Sequence, residues 1–163
     1  MLSFDILPNN YPDLQQRIET LESAMQETFP ELDLRLRLRI KKLKTAIASY
    51  DHRVTRIDID PRPFSPDKSY LLPSVLAHET MHALQYFDRR IPHGERSCDI
   101  YMLARLATRF YPREREFYVN VPRRVLSDHP ERVKQTAQKA IQLRNNGMRN
   151  YIVWFENELR ARY

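Results

Sequence analysis

Apolar and polar residues alternate along this chain with two different periods, and the switch between them marks out its elements. Over residues 13–28, Leu14, Ile18, Leu21 and Met25 recur every three or four positions, the spacing of an amphipathic helix, and Pro30 closes the segment. From residue 33 the period drops to two. Leu34, Leu36, Leu38 and Ile40 alternate with Arg35, Arg37 and Arg39, as in a strand with one buried face. Residues 45–50 and 54–59 read as two further strands, with a turn at Asp51-His52 between them and Asp60-Pro61 ending the second. Three consecutive strands are predicted, most simply as an antiparallel meander.

A loop with three prolines, residues 61–67, leads into the apolar stretch 71–87. That stretch predicts a buried helix in which Pro73 is tolerated because it falls in the first turn. A short connection precedes a second helix, residues 94–110, with Ile100, Leu103, Ala104 and Ala107 as its core stripe. Residues 111–126 form an irregular connection rich in Tyr and Arg. Helices are predicted over residues 130–144 and, after the break at Asn145-Asn146-Gly147, in a last segment that sets Tyr151, Ile152, Phe155 and Leu159 on one side. The fold class is therefore α+β: an N-terminal helix, a small antiparallel or mixed sheet of about three strands, two central helices, and C-terminal helices. A chain of 163 residues, 42% hydrophobic, buries one core. Residues 1–163 are expected as a single domain, 1–110 holding the sheet and central helices and 111–163 a helical C-terminal part.

Composition narrows the function classes. With only two glycines the chain has no glycine-rich phosphate loop, which sets nucleotide chemistry aside. It lacks a basic segment followed by an apolar run at its start and any stretch of about 18 apolar residues, so a cytoplasmic protein without membrane spans is expected. A lone cysteine, Cys98, agrees with a reducing compartment. The net charge of +6 permits nucleic acid as a partner. Much of that charge, however, sits at Arg35, Arg37, Arg39, Lys41, Lys42 and Lys44, interleaved with apolar residues, and reads as the solvated face of a strand.

The chemistry concentrates in His78-Glu79-Thr80-Met81-His82. Residues four apart on a helix lie one above the other, so His78 and His82 can present two imidazoles to one metal ion with Glu79 beside them. Two neutral imidazoles leave a zinc ion electrophilic enough to acidify water, and Glu79 can take that water's proton and return it to a leaving group. A third ligand is needed, and three residues compete for the place. Glu95 and Asp99 share one face of the following helix, where one carboxylate can bind zinc while the other accepts a ring N–H from a ligand histidine. His93 is the alternative. Cys98 is rotated away from the Glu95/Asp99 face and reads as a small buried residue, and His52 and His129 read as turn and capping residues.

His78-Glu79-x-x-His82 followed by Glu95-x-x-x-Asp99 resembles the gluzincin branch of the zincin metallopeptidases. The resemblance implies one zinc ion held by His78, His82 and Glu95, Glu79 as the catalytic residue, and Asp99 as support for a ligand histidine. The order of elements over the first two thirds of the chain is similar to the upper subdomain of zincins, and the short connection from His82 to Glu95 resembles the reduced, single-domain members. His93-Gly94 also resembles the SprT-like proteases, whose third ligand is a histidine before glycine and which act on DNA-bound proteins. The expected function is a zinc metallopeptidase with a peptide or protein substrate lying along the edge of the strand at 54–59. A SprT-like protease and a latent zinc-stabilised binding module are the alternatives. Tyr111, Tyr118, Arg113 and Arg115 are candidate donors to an oxyanion, against a plain packing and solvation role.

Overall fold

In the computed structural model, which describes residues 1–112 and 117–161, a strand comes before the first helix. β1 (Ser3–Ile6) leads into α1 (Pro12–Thr28), and β2 (Arg35–Ile40) returns parallel to β1, with Phe4 beside Leu36 and Ile6 beside Leu38. A helix between two strands lets the chain re-enter the sheet in the same direction, so the first step is a βαβ crossover instead of a hairpin. β3 (Ala48–Asp51) and β4 (Arg56–Ile59) do form an antiparallel hairpin. β4 then pairs parallel with β2, giving the order β1-β2-β4-β3. The chain is thus a mixed α/β fold on a four-stranded mixed sheet, and the expected meander is corrected. The strand predicted at 54–59 is also not an edge, since β4 is paired on both sides and β3 borders the sheet.

The two-residue period sorts β2 cleanly. Leu36, Leu38 and Ile40 are buried against the helices, while Arg35 and Arg37 are exposed on the other face. That outer face neutralises part of its own charge: Asp58 accepts from Arg39 at 2.9 Å and from Arg56 at 2.8 Å, and pairs with Lys41 at 3.0 Å. Burial would raise the carboxyl of Asp58, but these cations outweigh it and hold it below the usual range.

Two 3-10 turns, Arg62–Phe64 and Pro66–Leu71, carry the chain to α2 (Leu72–Phe87), which is buried on almost every side between α1, β3 and α3 (Glu95–Arg105). α3 stops short of the predicted residue 110 because Leu106 turns extended, and a 3-10 turn at Thr108–Phe110 follows. Within the stretch read as irregular lies a short helix, α4 (Arg123–Asp128). α5 (Pro130–Asn145) packs on α3 and α6 (Tyr151–Arg160) on α5, with Phe155 and Leu159 fully buried. One core cluster runs from Leu2 to Leu159. No described helix is long and apolar enough to cross a membrane.

Candidate metal centre

α2 and α3 lie against each other, and their facing sides bring four of the predicted residues together. His78 and His82 stand one turn apart on α2, ring centroids 4.8 Å apart and planes at 84°. Glu95 begins α3, and its Oε2 lies 3.0 Å from His78 Nε2 and 3.2 Å from His82 Nε2. Asp99, one turn further along α3 and 0% exposed, places Oδ1 3.0 Å from His78 Nδ1. Its other oxygen accepts the backbone N–H groups of Tyr118 at 2.6 Å and Val119 at 3.2 Å. Gly94, with φ of 105°, lets the connection turn sharply into α3.

Proton positions follow from these partners. Asp99, as a carboxylate, can only accept, so His78 carries a proton on Nδ1, and in the form that binds a metal it leaves a lone pair on Nε2. His82 Nδ1 faces Gln85 Oε1 at 2.9 Å, while the Gln85 amide nitrogen donates to the carbonyl of Pro92 at 2.7 Å. That orients the amide and leaves the lone pair of His82 on Nε2 as well. Two imidazole lone pairs and a carboxylate oxygen therefore converge on one small region. In that form the three electron-pair donors repel unless a positive charge lies among them, a metal ion or a proton on a ring nitrogen. A tetrahedral ion with bonds of about 2.0–2.1 Å sets its ligand atoms about 3.3–3.4 Å apart, close to the spacing seen here. With protons on the inner ring nitrogens in place of a metal ion, burial works against the charge on Glu95, but the neighbouring His82 and the hydrogen bond from His78 prevail and hold its carboxyl below the usual range.

No family model, curated protein or solved structure matches this chain. The site stands on its own geometry.

Cys98 lies closer than its helical position suggests. It is fully buried, its Sγ donates to the His78 carbonyl at 3.2 Å, and it falls with the two histidines in a group whose potential ligand atoms are within 4.8 Å of one another. Two ligand sets are thus conceivable, one completed by Glu95 and one by Cys98. The first fits the ring orientations better, because both Nε2 atoms face Glu95 and the thiol is engaged with a carbonyl. His93 is exposed and makes no hydrogen bond to either imidazole among the described residues.

A cavity of about 930 Å³ opens over the site. Glu79, 6% exposed, lines it together with His78, His82 and Glu95. One wall is built by residues 45–50, including the edge strand β3, and the rim carries Tyr70, Tyr86 and Tyr118. Tyr118 stacks on His78 with ring centroids 6.0 Å apart. Tyr111 is not available as an oxyanion donor, since it is buried and its hydroxyl donates to the Leu103 carbonyl. Arg113 and Arg115 lie outside the described residues. His52 packs on Tyr86 in the cavity wall, and His129 sits between α4 and α5. Among the described residues, none from α4 to α6 lines the cavity. Sequence reasoning missed Gln85, a neutral residue whose importance depends on a carbonyl from the next loop.

Proposed function

We propose that this chain is a zinc-dependent hydrolase of peptide bonds, built like a small gluzincin. The observation that carries the reading is Glu95 Oε2 lying 3.0 Å from His78 Nε2 and 3.2 Å from His82 Nε2, with both outer ring nitrogens already committed to Asp99 and Gln85. These three side chains would hold the ion. Bound there, zinc supplies a Lewis acid that acidifies water and polarises a carbonyl. Glu79 takes the proton of the attacking water and returns it to the leaving nitrogen, a task suited to a carboxylate in the cavity wall that a purely structural metal site does not need. Tyr118, on the rim and stacked beside His78, is the candidate donor to the developing oxyanion.

The substrate reading draws on the sheet. β3 is one of the two border strands, so its outer N–H and C=O groups can pair with an extended peptide, and the same strand forms part of the cavity wall. An antiparallel border strand ahead of the motif helix also supports the zincin-like reading.

Glu79→Gln tests the assignment. It is expected to keep zinc stoichiometry near that of the wild type while lowering peptide hydrolysis by at least about 10²-fold. Equal loss of zinc would make Glu79 a ligand. Unchanged hydrolysis would remove it from the mechanism.

A further inference from the structure

Gln85 is 1% exposed, and a primary amide buried that deeply must find partners for both ends. It does so in a way that touches two parts of the proposed site at once. Its Oε1 faces His82 Nδ1 at 2.9 Å. Its Nε2 donates to the carbonyl of Pro92 at 2.7 Å and lies 3.4 Å from that of Gly94. Carbonyls only accept, so the amide cannot flip without setting oxygen against oxygen. The loop's carbonyls therefore dictate which atom His82 meets, and His82 must carry its proton on Nδ1.

We propose that Gln85 is a positioning residue that couples the α2–α3 loop to the metal site. One end fixes the tautomer and ring orientation of His82, as Asp99 does for His78. The other end ties down the carbonyls of Pro92 and Gly94 in the loop just before Glu95, at the point where Gly94 adopts a φ of 105°. A single buried side chain thus holds one ligand directly and sets the starting point of the helix that supplies another. The connection between α2 and α3 can be short because this amide closes it from inside. The proposal rests on the zinc reading above, and its test separates the two.

The wild-type protein, Gln85→Met and Gln85→Glu are loaded with zinc and compared by chelator competition and by nitrogen-15 NMR of the histidine side chains. Methionine keeps the volume and loses both ends of the amide. Glutamate keeps an acceptor for His82 and loses the donor to Pro92. Gln85→Met is expected to bind zinc about 10- to 100-fold more weakly and to lose the slowly exchanging Nδ1–H signal of His82, while the His78 signal stays. Gln85→Glu should keep that signal, which a merely structural role would not predict. It should yet bind zinc more weakly than the wild type, because its carboxylate sets oxygen against the Pro92 carbonyl and releases the loop. Wild-type affinity there would contradict the coupling. Should Gln85→Met fail to fold, the glutamate variant alone decides: loss of the His82 signal there contradicts the proposal. So does a methionine variant with wild-type affinity and an unchanged His82 signal. Absence of zinc binding in the wild type would overturn the metal site itself, and this role with it.

Discussion

Asp99→Asn gives a demanding prediction because the replacement keeps shape and removes only an acceptor. In the wild type one carboxylate satisfies three donors: His78 Nδ1 at 3.0 Å and the backbone N–H groups of Tyr118 and Val119 at 2.6 and 3.2 Å. An amide has one oxygen to offer. Turned towards His78, it would set its NH2 against two backbone N–H donors, that of Val119 buried and that of Tyr118 partly so, and an unsatisfied buried group costs about 1–3 kcal/mol. Turned towards the backbone, it presents NH2 to His78 Nδ1. The second arrangement leaves fewer donors opposed, and it moves the proton of His78 to Nε2, where the metal lone pair should be. Folding stability should therefore fall by only about 1–2 kcal/mol, the difference between charged and neutral acceptors. Zinc affinity should fall by about 10- to 100-fold, or about 1.4–2.8 kcal/mol. Urea unfolding of the metal-free proteins gives the first number and chelator competition at neutral pH the second. An Asp99→Asn protein that binds zinc within twofold of the wild type would refute the tautomer argument.

Two further substitutions probe the walls of the site. Asp60, 1% exposed, accepts from the backbone of Leu43 at 2.6 Å and from Arg62 at 2.6–2.9 Å, pinning the loop that becomes the cavity wall. Asp60→Asn should cost about 2–3 kcal/mol, below the usual figure for a broken buried pair because Arg62 is half exposed. The hydrogen bonds from Arg62 hold the Asp60 carboxyl far below its ordinary value despite burial. Its contribution is therefore complete above about pH 4 and fades as acid approaches the lowered folded value. Urea titrations at pH 7 and 2.5 should show the gap between wild type and variant narrowing in acid, and an equal gap at both would refute this. The Tyr50 hydroxyl is buried with no hydrogen-bond partner among the described residues, and burial first, then Tyr86 and Asp51, pushes its phenol up to about 12. Tyr50→Phe should leave stability unchanged or raise it by up to about 1 kcal/mol in thermal melts, and a loss above about 1 kcal/mol would contradict an unmade bond.

Periodicity located α1, β2 and α5 because each buries one face and its apolar spacing records it, while α2, buried on almost every side, showed as an apolar run. It missed β1, whose Ser3-Phe4-Asp5-Ile6 is too short to show a period. It also could not say that β1 and β2 run parallel or that β4 inserts beside β2, since alternation is the same whichever neighbour a strand pairs with. The convergence of His78, His82, Glu95 and Asp99 was legible because each pair is four apart on a helix, so only the docking of α2 on α3 had to be supplied. Gln85 was not, nor were the Tyr118 and Val119 N–H groups on Asp99, because those bonds join a helix to irregular backbone whose path no local pattern encodes. Cys98 is buried as expected, but its nearness to the histidines was not legible for a related reason: helical rotation alone does not show that the neighbouring helix brings its carbonyl to the thiol.

The most direct test of the central claim is a crystal structure of the zinc-loaded protein with anomalous data at the zinc edge. The account predicts one ion about 2.0–2.2 Å from His78 Nε2, His82 Nε2 and a Glu95 oxygen, with Glu79 out of coordination range. An empty site at full zinc loading, or an ion whose third protein ligand is Cys98 sulfur at about 2.3 Å or a His93 nitrogen, would contradict it.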